Sequence, residues 1–107
     1  MATIHSELLL RVSWDHAVLA LEHAIAQGRH RFAVLDRDNG YMRIREDGGV
    51  TLDIEIRVEA SDATRIIFLH RRRWLGFHAP GEAQVNAVMQ GLREDVIIQL
   101  RRELEAA

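Results

Sequence analysis

Six histidines, three consecutive arginines running into a tryptophan, and two aspartates with one residue between them are the side chains of this chain whose types and spacing could bind a metal, grip a phosphate or move a proton. The histidines are scattered. His16 and His23 stand seven residues apart on a helical pattern, about 10.5 Å along its axis, too far to share one ion without ligands from elsewhere. They fall opposite the apolar stripe that begins at Trp14, which points to solvated side chains rather than to metal binding or pH sensing. His70 is expected to face inward with its hydrogen bonding satisfied and His78 to lie in a loop, and together they lack the close spacing of a zinc site. No metal and no cofactor is expected.

Arg71-Arg72-Arg73-Trp74 has the composition of a phosphate grip with a base-stacking ring. On a strand, however, three successive arginines alternate faces, and a formal net charge of −2 disfavours a polyanion partner. A solvated edge that pairs with carboxylates is the expected role, with no nucleic acid bound. Asp36 and Asp38 could serve as acid and base, but directly before Asn39-Gly40 their expected work is to shape a turn. Gly40, Gly48, Gly49, Gly76, Gly81 and Gly91 never take the spacing of a phosphate-binding loop, and Ser6, Ser13 and Ser61 stand in no glycine-flanked elbow. The expectation is therefore a chain that is not an enzyme.

The elements that position these groups are more sharply written. In the stretch 50–60, Val50, Leu52, Ile54, Ile56 and Val58 alternate with Thr51, Asp53, Glu55, Arg57 and Glu59, the pattern of a strand with one dry and one wet face. Such a sheet must cover its dry face with another layer. Residues 3–12 read as a first strand, and Ser13 as the cap of a helix over 14–27 whose stripe is Trp14, Val18, Leu21 and Ile25, with Gly28 expected in the left-handed conformation at its end. Trp14 is expected to anchor that helix on the sheet. Residues 31–36 and 41–46 form a hairpin whose Asn39-Gly40 pair supplies positive φ angles, and Met42 and Ile44 must share a face with Leu52 and Ile54. Tyr41, Arg43 and Arg45 then join Asp53 and Glu55 on the wet face.

The stretch 64–73 is apolar on both parities, so its inward face is a choice. Turning Ile66, Phe68 and His70 inward sets Arg65, Arg71 and Arg73 beside the acidic wet face and leaves Ile67 and Leu69 exposed. Arg65, Ile67, Leu69, Arg71 and Arg73 are accordingly the candidate interface, an apolar patch with a charged rim that a homodimer or another protein partner would cover. A long second helix over about 80–105 carries the stripe Val85, Val88, Met89, Leu92, Val96 and Leu100, with Pro80 in its first turn and Gly91 a packing site. A second possibility is an apolar pocket for a small ligand between this helix and the sheet, lined by Ile54, Phe68, Met89 and Val96. The fold class is α+β, a single domain over 1–107 in two layers with the order β-α-β-β-β-β-α and the long C-terminal helix across one face.

That order, together with a strand followed by Ser13-Trp14-Asp15 opening a helix and then FAVLDRDNGYMRIR from Phe32 to Arg45, resembles the BamC-like small bacterial envelope domains of helix-grip type. The resemblance covers residues 8 to 45 and implies a non-enzymatic domain that docks onto partners. START-like ligand carriers share the grip of helix on sheet. All fourteen basic residues are arginine, as in proteins from GC-rich bacterial genomes. Cysteine is absent, which excludes disulfides and thiolate chemistry. No apolar run approaches the roughly 20 residues of a membrane span, and the start MATIHSELLL carries no signal-peptide pattern. With Met1 as the native start a cytoplasmic location is expected; with a trimmed start, a periplasmic one.

Overall fold

Alternation along the strands places their apolar residues on one side of a five-stranded antiparallel sheet in the computed structural model, which describes residues 3–71 and 80–106. The elements are β1 (Thr3–Leu10), α1 (Trp14–Gln27), β2 (Phe32–Asp38), β3 (Tyr41–Glu46), β4 (Thr51–Ala60), β5 (Ala63–Arg71) and α2 (Glu82–Ala106). The sheet order is β1-β5-β4-β3-β2, so the first strand crosses over to lie beside the fifth. The fold is the α+β arrangement expected: an antiparallel sheet with both helices packed on its dry face.

The register follows the demand that apolar residues share a face. Met42 lies opposite Ile54 and Ile44 opposite Leu52, which sets Arg43 against Asp53 and Tyr41 against Glu55 on the other side. In turn Ile54 pairs with Phe68 and Ile56 with Ile66, so β5 turns Ile66, Phe68 and His70 inward. The His70 imidazole is held there by its Nδ1, which donates to the Thr51 carbonyl at 2.9 Å. Buried Thr64 is likewise satisfied, its hydroxyl donating to the Val12 carbonyl at 3.0 Å.

The two helices run antiparallel and are clamped near the end of α1. Asp95, buried on α2, accepts from the Arg29 backbone N–H at 3.0 Å and from the Arg29 Nε at 3.1 Å. This close approach explains two glycines. A Cβ on Gly28 would run into the Ala24 carbonyl and stand 2.6 Å from the Asp95 carboxylate, and one on Gly91 would stand 2.6 Å from the His30 ring. Gly91 is thus the packing glycine expected. Gly28 differs from expectation: its φ of −75° is not left-handed, and it is small because the Ala24 carbonyl of α1 and the Asp95 carboxylate of α2 leave no room for a Cβ.

Other local expectations need correction. Ser13 precedes α1 in extended conformation but its hydroxyl makes no cap bond; the first turn is held by the Ser13 carbonyl accepting from the Ala17 N–H. In the β2–β3 turn only Gly40 has a positive φ, 77°, and Asn39 does not. Trp14, half-buried against the core, brings its ring edge to Gly40, where a Cβ would stand 3.1 Å from the indole. Helix α2 begins at Glu82, two residues later than Pro80, with the Val85 N–H donating to the Gly81 carbonyl. Its expected stripe from Val85 to Leu100 is buried throughout.

Because the Ala24 carbonyl is backbone and cannot rotate away, Gly28→Ala should destabilise the fold by about 1–3 kcal/mol, the usual cost of overpacking. Urea titration measures this directly; an unchanged midpoint would show that the α1–β2 connection yields freely.

Candidate functional site

The wet face of the sheet is a lattice of ion pairs. Arg43 Nε donates to Asp53 at 2.7 Å and the Tyr41 hydroxyl donates to the same carboxylate oxygen at 3.0 Å. Arg57 pairs with Glu55 through both Nε and Nη2. Arg65 bridges Glu59, at 2.6 Å, and Glu7 of the neighbouring strand, at 3.0 Å. Partial burial pushes the Asp53 carboxyl up, but the hydrogen bonds from Arg43 and Tyr41 and the charges of Arg43 and Arg71 outweigh it and hold the group below the ordinary aspartate value.

This lattice changes the candidate interface. Ile67 does lie on the outer face, between Glu7 of β1 and Glu55 of β4, yet only 9% of it is exposed. The expectation that Ile67 is exposed is therefore wrong: as part of a central strand it has Glu7 on one side and Glu55 on the other, and long charged side chains can cover apolar surface with their stems. Leu69 is half-buried between His5 and Asp53. Arg65 has its carboxylates within the same chain, Arg71 is exposed, and Arg73 lies outside the described residues, as do Arg72, Trp74 and His78. The face is a polar layer, largely paired among the described residues, with little apolar surface to bury.

The candidate pocket residues are equally enclosed. Ile54, Phe68, Met89 and Val96 are all buried in one cluster with Leu21, Ile44 and Leu92, so a guest would reach them only if α2 lifted from the sheet. Asp36 and Asp38 accept from the backbone N–H groups of Arg37 and Asn39, at 2.9 and 2.7 Å, and so shape the hairpin.

His16 and His23 are brought together by a residue that spacing did not reveal. Glu103 of α2 lies between them, 4.0 Å from His16 Nδ1 and 3.5 Å from His23 Nδ1. Both of its carboxylate oxygens are shut off from water and accept no hydrogen bond. Among the described residues no group of three or more histidine, aspartate and glutamate side chains is placed to hold a metal.

The two sheet edges are unlike. Strand β2 carries a bulge between Val34 and Asp36, and Asp36, Arg37 and Asp38 charge its far half. Val34 and Leu35 are 41% and 52% exposed, but the bulge breaks the repeat that a further strand would need. Strand β1 pairs with β5 over eight residues, Thr3 to Leu10, without a break in register. Among the described residues nothing pairs with its outer side. Leu9, 40% exposed, stands on its wet face opposite Arg65.

No protein-family model and no curated protein matches this chain. No helix among the described residues is long and apolar enough to cross a membrane.

Two outcomes follow from the charged groups. A carboxyl lowered on folding adds stability that is present above its unfolded value, about 3.9, and is lost as pH falls through the lower folded value. Asp53→Asn should therefore show a shallower loss of stability below about pH 4 than the wild type, and cost up to about 1 kcal/mol at neutral pH; parallel pH curves would contradict this. Conversely, Glu103→Leu removes a carboxylate that lacks donors and should raise stability by about 1 kcal/mol at neutral pH. Destabilisation would mean that the two imidazoles hold Glu103 in place.

Proposed function

We propose that this chain is a non-catalytic interaction domain of bacterial origin that docks on partners through its sheet, and specifically through the outer edge of β1. The supporting observation is the contrast between the edges: a regular eight-residue edge on β1 against a bulged and charged one on β2. An unpaired antiparallel edge offers alternating N–H and C=O groups to an added strand, the backbone chemistry by which peptide-binding domains extend their sheets. The wet face suits such a role as a soluble flank. Most of its carboxylates, Glu7, Asp53, Glu55 and Glu59, are paired with arginines of the same chain, which leaves little apolar area for a face-to-face contact.

Two further features agree with a docking role. The aspartates, arginines and buried histidine whose hydrogen bonds are described above serve turns, cross-strand pairs and the helix clamp. The element order and the two helices on one face are also what kinship with helix-grip docking domains would require. The arginine-only basic complement supports the bacterial assignment.

A photoreactive amino acid placed at His5, Val34 or Arg57, in the cell that makes the protein, tests this reading. Adducts concentrated at His5 are expected, with few at Val34 on the other edge or Arg57 on the wet face. An even distribution, or none, would reject β1 as the docking edge.

A further inference from the structure

We propose that the strand received by β1 is β1 of a second copy of this chain, paired antiparallel about a two-fold axis at Ser6. This deepens the reading of β1 as a docking edge and rests on it. A two-fold axis perpendicular to the sheet keeps each residue on its own face, so odd-numbered residues of one copy meet odd-numbered residues of the other. With the axis at Ser6, His5 stands opposite Glu7 of the second copy, Ile4 opposite Leu8, and Thr3 opposite Leu9. Each pairing is complementary: imidazole with carboxylate and methyl with methyl on both sides of the axis.

Neighbouring registers lack this match. Moving the axis to His5 sets imidazole against imidazole, and moving it to Glu7 sets carboxylate against carboxylate, an opposition that is destabilising across strands. The complementary groups are already in place on the wet face, where His5 Nε2 lies 3.3 Å from Glu7 of its own strand. Residues that the second copy would cover include Leu9, at present 40% exposed, and partly buried Ile4.

The flank of α2 turned away from the α1 clamp adds to the surface. Ile97 packs at the margin of the core and Leu104, seven residues on along the same stripe, is 50% exposed. Arg93, one turn before Ile97, has a buried Nε with no hydrogen-bond acceptor. Helix α2 packs on β1, so two-fold pairing there would bring the two α2 flanks toward each other over a continuous ten-stranded sheet. Both outer ends of that sheet would be β2, whose bulge and charges stop further growth at two copies.

The absence of cysteine makes the test clean. Directly opposed residues of antiparallel strands have Cα atoms about 4.5–5.5 Å apart, within the roughly 4.4–6.8 Å that a disulfide spans. Ser6→Cys should oxidise to a covalent dimer in high yield. His5→Cys and Glu7→Cys should each remain largely monomeric alone and cross-link when mixed, and an exposed control, Val58→Cys, should stay monomeric throughout. Equal cross-linking of every variant, or a wild type that sediments as a monomer at millimolar concentration, would overturn the proposal. The photoreactive experiment separates the two levels. Adducts at His5 to a different protein, without a Ser6→Cys dimer, would refute self-pairing and leave β1 as a docking edge; no adduct at His5 would remove both.

Discussion

Met42, Ile44, Leu52, Ile54, Ile56, Ile66 and Phe68 sit on three neighbouring strands and must all reach the same side of the sheet. A slip of one residue between any two of these strands would turn one apolar set to water and carry its charged set into the core. That constraint reaches well beyond the core. Once Ile54 is locked between Met42 and Phe68, Asp53 has no choice but to stand between Arg43 and Leu69, and Glu55 beside Ile67. The ion-pair lattice is thus a consequence of packing on the opposite face. Its individual pairs are partly exposed and modest in energy, and Ile67 lies buried between two of its carboxylates.

The same constraint decides where α1 and α2 lie, since only they can cover the dry side. Their junction is built by close approach at Gly28 and Gly91 and by the Asp95 carboxylate, which receives two donors from Arg29. With one face covered by the helices and the other mostly carrying paired charges, the sheet offers its backbone for association at its edges. One edge is blunted by the bulge at Val34 to Asp36, and the other keeps an unbroken register over eight residues.

Much of this was legible from residue order. Strict alternation over 50–60 identified β4, the Asn39-Gly40 pair located the hairpin, and the register of Met42 and Ile44 against Leu52 and Ile54 followed from parity. The inward face of β5 was reached through its arginines, because placing Arg65 and Arg71 outward gives them acidic neighbours. What local pattern does not encode is which strands become neighbours. Nothing in residues 3–10 says that they will lie beside 63–71, and without that adjacency the burial of Ile67 beside Glu7 is invisible. The bulge in β2 was hidden because Val34 and Leu35 are both apolar and signal no change of parity. Gly28 reads as a left-handed helix terminator, whereas it is hemmed in by the Ala24 carbonyl of its own helix and by Asp95, a carboxylate 67 positions away that local pattern cannot show. Glu103 between His16 and His23 is a contact of the same long-range kind.

On this proposal β1, and not β2 or the wet face, pairs with β1 of a second copy. Amide hydrogen exchange measured on the full chain at low and at high protein concentration tests it most directly. Exchange at Ile4 to Leu9 is expected to slow as concentration rises, with Ala33 to Asp38 and the β4 amides unchanged. Concentration-independent exchange along β1, or slowing confined to β2, would contradict it.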